Sequence, residues 1–371
     1  MKTIANSFVL FASLVAVSAA FAAADTWTYD SSAGTISDGE WTFNATVSGA
    51  NLTVNAVTNY PQTCSTLNFA KPVNGNYTIV TLNPHFPKYT NTHDLGYRPG
   101  DLAETEACTR VGELILPKTG LTSISAGAFA HCSNLTNIVN YLPDSVTSIG
   151  NSAFAYCHVE QDLFLRGLRG KANRGIFYSS KIKSVTFGPR FTGISETSNS
   201  MRPFESCSHI TNIVFSPESS GITFVNNAFK CALAQPLVLY GVQSLNNSAF
   251  SGCSVSSITF DRGIENIGTL SGVTGITEIR FLGEPPTSWP TRADLAAQPP
   301  ESYTFADYGE ARSSDVITTY VRWKYKAAWY PYAANGDINL RTSTFSAQCA
   351  TNPLKRKLLF DEMPVFYIYL K

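Results

Sequence analysis

Two short segments of the 371-residue chain place a thiol beside an imidazole, His131-Cys132 and Cys157-His158. Zinc would use such residues, but its protein ligands recur at Cys-x-x-Cys or His-x-x-x-His spacing, and neither spacing occurs here. A Cys–His nucleophile needs an exposed thiolate with a base beside it, whereas adjacent residues point in different directions. His85 and His93 share a Pro-containing loop without spaced ligand partners. Glu113, Asp162, Asp261 and Glu278 are scattered along the chain, and only the last two fall on neighbouring units of the repeat described below. Glycoside hydrolysis needs two carboxylates about 5–9 Å apart, and that pair alone does not suffice. No Gly-x-Ser-x-Gly, His-Glu-x-x-His, P-loop or calcium-loop pattern is present. The expectation is a noncatalytic protein without metal or cofactor.

Composition narrows the partners. The chain has 27 basic and 27 acidic side chains, so its formal net charge is zero. Charged residues make up 15%, against roughly 25% in ordinary soluble domains. With no run of one sign, a nucleic-acid partner is not expected. Hydrophobic residues at 44% suffice for a large core. Residues 1–24 have the pattern of a secretory signal peptide: Lys2, an apolar stretch from Phe8 to Val17, and small-x-small sites at Ala20-Phe21-Ala22 and Ala22-Ala23-Ala24. The expected product is secreted or displayed at the cell surface, with a bacterial periplasm as another destination, and keeps no membrane span after cleavage.

The chain repeats itself. Leu121-Thr-Ser-Ile124-Ser-Ala-Gly-Ala128-Phe129-Ala-His-Cys132 returns as Val146-Thr-Ser-Ile149-Gly-Asn-Ser-Ala153-Phe154-Ala-Tyr-Cys157. Shorter copies follow at Ala228-Phe229-Lys-Cys231 and Ala249-Phe250-Ser-Gly-Cys253, with degenerate ones at Ile176-Phe177 and Pro203-Phe204-Glu-Ser-Cys207. Between the blocks lie short alternating strands beginning at Leu114, Ile138, Leu163, Val185, Ile213, Leu237, Ile258 and Ile279. Ile138 is followed by a two-residue irregularity before Leu142-Pro143. Alternation of period 2 sends one set of side chains inward and the other outward. A unit this small cannot bury its own apolar face, so the units must stack.

Cysteine spacing follows the same frame. Cys108, Cys132, Cys157, Cys207, Cys231 and Cys253 each precede a strand by five or six residues, and Ser180 fills the slot in a degenerate copy. One small, weakly polar residue per unit predicts a buried ladder of free thiols rather than disulfides. Cys64 and Cys349 lie outside it.

The Ile-Gly-Asn-Ser-Ala-Phe-Ala-Tyr-Cys block, followed by a strand about six residues later, resembles the BspA-like leucine-rich repeats, over residues 105–283. That resemblance implies a leucine-rich-repeat solenoid, a right-handed superhelix of about eight coils that is mainly β. It also implies export or surface display and, for several such proteins, adhesin-like binding of protein or glycan. In leucine-rich repeats the strand sheet lines the concave face. The outward column Ile115, Val139, Phe164, Thr186, Val214, Val238, Thr259 and Arg280, with Arg166 and Tyr240 beside it, is therefore the expected ligand-binding face. Strand propensity alone, or a flank folded over the sheet, would produce the same apolar column. The competing expectation for function is a structural or surface-layer spacer that associates with itself.

The flanks complete the expected organisation. After the 1–24 signal, residues 25–107 form a β-rich cap with a degenerate first coil around Leu67 and Phe69. Asp38-Gly39 is a turn within the cap. Trp27, Tyr29 and Trp41 serve as its core, or alternatively as a platform for sugar rings. The repeats span 108–283, and a Pro-rich closing segment spans 284–371. It contains strands near Val316–Val321 and Val365–Leu370, a helical turn at Tyr325–Trp329, and a solvated Lys355-Arg356-Lys357 loop.

Overall fold

The computed structural model describes residues 25–89, 102–139, 141–194, 202–224, 228–229, 236–245, 249–250, 252–261, 263–267, 273, 275, 278–284, 318–321, 325, 343–344 and 357–360. The 1–24 signal, Cys231, Cys349 and the Val365–Leu370 run lie outside these residues. Helix is confined there to one turn of α-helix at Glu106–Thr109 and short 3-10 turns. The chain is a parallel β-solenoid of about eight coils.

Each of the eight expected strands forms, and where neighbours pair they do so in parallel and in register. Leu163, Val185 and Ile213 stand opposite one another, as do Leu237, Ile258 and Ile279. These inward residues are 3% exposed or less. The degenerate coil at Leu67 is also present: strand Ser65–Asn68 pairs in parallel with Val111–Ile115. Strands Thr318–Val321 and Lys357–Phe360 add further parallel rungs after Glu278–Phe281. Lys357 is thus a strand residue rather than part of a loop.

A second parallel sheet runs along the coils, which the sequence reading did not separate from the Phe-containing blocks. It falls into two blocks: Ser123–Ile124 and Ser148–Ile149 pair onward from Thr78–Leu82, and Gly170–Ala172, Phe191–Ile194, Ile222–Phe224, Val242–Leu245 and Asn266–Ile267 form the other. Two-residue strands such as Ser123–Ile124 carry no readable alternation. The N-terminal strands Thr28–Asp30, Thr35–Ser37, Thr42–Ser48 and Asn51–Asn59 form an antiparallel meander, and Asn51–Asn59 pairs in parallel with Thr78–Leu82 of this second sheet. The meander therefore continues the solenoid. Asp38 makes its turn by accepting from the Trp41 N–H at 2.9 Å, and its second oxygen meets Lys71 Nζ at 2.8 Å.

The third side of each coil is the Ala-Phe-x-Cys turn. Backbone N–H groups donate to the next coil, as from Phe129 to Ala153, Phe154 to Ile176 and Phe229 to Ala249, each at 2.8 Å. The rings stack in one file: Phe129 on Phe154 at 5.3 Å and 11°, Phe154 on Phe177 at 5.2 Å and 4°, Phe229 on Phe250 at 5.3 Å and 6°. Two residues past the Phe the backbone turns left-handed, at His131, Tyr156, Ser179 and Ser206, with φ from 55° to 64°. Non-glycine residues seldom adopt that conformation, and here the N–H groups of His131, Tyr156 and Ser179 donate to the following coil from it, at 2.8, 2.8 and 3.0 Å.

The first sheet is divided into three blocks that do not share backbone bonds with one another. Between strands Asn137–Val139 and Asp162–Leu165 the side chain of Gln161 takes the place of a ladder. Its Oε1 accepts from the Ile138 N–H at 2.8 Å, and its Nε2 donates to the Ile138 carbonyl at 3.3 Å. This break follows the irregularity seen in the sequence before Leu142-Pro143.

Candidate functional site

The register fixes the outward column. Ile115 stands beside Val139, and Asn68 extends that line toward the N-terminus. Phe164, Thr186 and Val214 form the line of the middle block, and Val238, Thr259 and Arg280 that of the last. The structure thus brings the predicted residues together within each block. Val214 is 38% exposed, and the other seven are half-buried between their neighbours. Arg280 is paired with Glu278 on its own strand. Tyr240 is half-buried and packs on the apolar core, so it is partly a structural residue.

The most developed chemistry lies in the middle block. Arg166 is exposed, and its guanidinium carbon sits 4.8 Å from the centroid of the Phe164 ring. This is a cation–π geometry. Tyr141 meets the same ring edge-on at 4.8 Å and 82°, and is 44% exposed. Its φ of 63° turns the chain at the sheet break and lifts the side chain toward Phe164. The sequence reading missed Tyr141 because it belongs to no strand and to no repeat position. The irregularity before Leu142 was its one signal.

The thiol ladder takes the form that the spacing predicts. Cys157, Cys207 and Cys253 donate to the carbonyls of Phe129, Phe177 and Phe229 in the preceding coil, at 3.1, 2.9 and 3.2 Å. Ser180 does the same toward Phe154 at 3.0 Å. Burial pushes the Cys207 thiol up to about 12, and Cys132 and Cys157 are raised for the same reason. A buried, protonated thiol is a poor nucleophile and a poor metal ligand. Cys64 is free and exposed. His131 lies against Tyr156 with the rings 4.5 Å apart and tilted by 31°, and burial lowers the pKa of His85, which favours neutral imidazole. Among the described residues, no three His, Cys, Asp or Glu side chains gather as a metal set.

Asp261 and Glu278, the neighbouring carboxylates of the sequence, lie at opposite ends of paired strands. Glu278 opposes Ser257, four positions before Asp261, so they are about 13 Å apart along the sheet. Asp261 Oδ1 instead accepts from the Gly241 N–H at 2.8 Å. Trp27 and Trp41 are fully buried, and Tyr29 packs edge-on against Tyr77 at 5.2 Å. The two indoles are core, unavailable as a sugar platform.

Comparison with known proteins identifies the repeats. The family described as BspA type leucine-rich repeat region matches residues 106–202 and 173–271, in 6 copies. The chain carries BspA-type leucine-rich repeats. The matched span holds the thiol ladder and every Phe of the file from Phe129 to Phe250. No curated protein matches the chain in sequence. Among solved structures, a leucine-rich repeat protein from Bacteroides ovatus is 17% identical with a TM-score of 0.32, over 65% of this chain and 70% of its own. The T. pallidum leucine-rich repeat protein is 18% identical with a TM-score of 0.32, over 65% and 83%. The pneumococcal vaccine antigen PcpA is 11% identical with a TM-score of 0.32, over 89% and 99%. At those TM-scores the likenesses carry no argument. The BspA-type assignment rests on the repeats.

Proposed function

We propose that this chain is an exported, noncatalytic recognition protein that binds a protein or glycan through the outward face of its repeat strands. The observation that carries the proposal is the Tyr141–Phe164–Arg166 cluster, an exposed aromatic and guanidinium group at the centre of that face. Aromatic and arginine side chains are the groups that most often anchor interfaces. Val214 extends the cluster with exposed apolar surface two rungs away. A neutral chain gains little from long-range steering, so affinity comes from contact.

Export is part of the same proposal. It is supported by the signal pattern of residues 1–24 and by the repeat family, some of whose members are surface antigens or adhesins. No helix among the described residues is long and apolar enough to cross a membrane. The test is an array of glycans, mucins and extracellular-matrix proteins probed with the purified chain and with a Phe164→Asp, Val214→Asp, Val238→Asp variant. A partner bound by the first and lost by the folded variant is the expected result. Partners that bind both equally would remove this face, and a monomeric chain that binds nothing would favour the spacer role.

A further inference from the structure

We propose a second binding site, for a sugar carrying a single carboxylate, in a cleft beside the first coils and apart from the outward strand face. The cleft lies between residues 69–79, which follow strand Ser65–Asn68, and residues 117–119, which follow strand Val111–Ile115. Its volume is about 370 Å³, within the roughly 300–1,000 Å³ of small-molecule sites. Val73 and Ile79 give it an apolar floor, Tyr77 a half-buried aromatic wall, and Thr78 and Thr119 exposed hydroxyls. Its charged groups are Lys71 and Lys118, and no carboxylate lines it.

The walls are built before any ligand arrives. The Trp27 N–H donates to the Pro72 carbonyl at 2.8 Å, and the Asn74 N–H to the Trp27 carbonyl at 2.9 Å. Tyr77 is held edge-on by Tyr29. Gly120, at φ +86°, brings the second wall against the first: a Cβ there would lie 2.5 Å from the Thr78 methyl.

Charge decides the ligand class. Lys71 Nζ rests 2.8 Å from Asp38 Oδ2, a carboxylate only 1% exposed, so its charge is balanced and its position fixed. An ammonium has three donors, which leaves Lys71 donors for ligand hydroxyls. Lys118 is exposed and has no ion pair among the described residues. The cleft therefore carries one uncompensated positive charge and suits one negative charge, whereas a phosphate dianion would leave an excess. Pyranose C–H groups pack on the negative face of an aromatic ring, here Tyr77, while the ring hydroxyls meet Thr78, Thr119 and Lys71.

Titration calorimetry of the full chain at low salt, with glucuronic acid, glucose and hexaglutamate as probes, tests this. Glucuronate is expected to bind about tenfold more tightly than glucose, as one charge-assisted hydrogen bond allows. Lys118→Ala is expected to erase that preference with an unchanged melting temperature, because the side chain is exposed. Equal binding of both sugars, tighter binding of hexaglutamate, a preference that survives Lys118→Ala, or no binding of either sugar would each overturn the site. The Phe164, Val214 and Val238 triple variant is expected to bind glucuronate normally, so failure at the strand face and failure here are separately visible.

Discussion

Aromatic rings fill both the N-terminal meander and the coils that follow, but they pack differently. Around the meander the angles are mixed: Phe86 meets Trp41 at 87° and Phe43 at 89°, and Trp27 meets Phe43 at 58°, while Trp41 lies 9° from parallel to Phe43 and Trp27 17° from Phe69. In the coils the successive rings of the file, Phe129, Phe154, Phe177, Phe204, Phe229 and Phe250, lie within 4–11° of parallel, whereas strand rings such as Phe187 meet the file edge-on, at 78° to Phe204. Phe86 joins the two regions, tilted 34° on Phe129. The difference follows from translation. Each coil repeats its predecessor one strand spacing along, so the same side chain in the same rotamer must arrive parallel to its copy. The rings of the meander have no copies to match, so stacked and edge-to-face pairs occur together there and close the end of the core. A file of rings transmits position, and a cluster terminates it.

Breaking a ring in the file should have the largest effect. Phe154→Ala is expected to cost about 4 kcal/mol in urea unfolding, and because coils are stabilised by their neighbours, the loss should spread to the coils of Phe129 and Phe177. Hydrogen exchange would show that spread. In the meander, Lys71→Met removes the partner of a buried carboxylate and is expected to cost about 3 kcal/mol, with exchange rising around Asp38 and leaving the Phe154 coil unchanged. A loss that reached the coils equally would erase the distinction between the two regions.

The thiols sharpen it by pH. Cys207 has its pKa raised from an ordinary value near 9 to about 12, so its contribution is complete below pH 9 and is lost as pH rises toward 12. Against Cys207→Ala, the wild-type chain is expected to lose about 2 kcal/mol more between pH 9 and pH 11, the slope approaching about 1.4 kcal/mol per pH unit once the unfolded thiol is ionised. Equal pH slopes in denaturant melts would contradict a buried neutral thiol. The smallest effect is expected from Cys157→Ser, which keeps the donor to the Phe129 carbonyl as Ser180 does for Phe154, within about 1 kcal/mol. With a thiol reagent under native conditions, Cys64 is expected to be the one of the six described cysteines that reacts.

Much of this was legible in the chain. Leu163 and Leu165, alternating with Phe164, announced a strand and its facing, and the matched Ala-Phe pairs announced the file. The thiol ladder was visible because Cys and Ser180 hold one frame. The second sheet was not, because Ser123–Ile124 is too short for alternation. Nor was the role of Tyr141, whose left-handed backbone depends on a break bridged by Gln161, a contact between coils that no local pattern records. The opposite placement of Asp261 and Glu278 was likewise a matter of register, which adjacency of coils alone does not give.

At the junctions from Phe129 through Phe204, and between Phe229 and Phe250, the bonds run both ways: turn N–H groups donate forward, and the thiol or Ser180 hydroxyl donates back. On this side of the solenoid those junctions therefore present nearly the same donors and acceptors as one another. A gene that gained or lost one repeat in frame would join ends that already fit, with a new partner of the old shape. Length in this architecture is a heritable quantity that recombination can change in whole coils, while the meander at one end stays as it is.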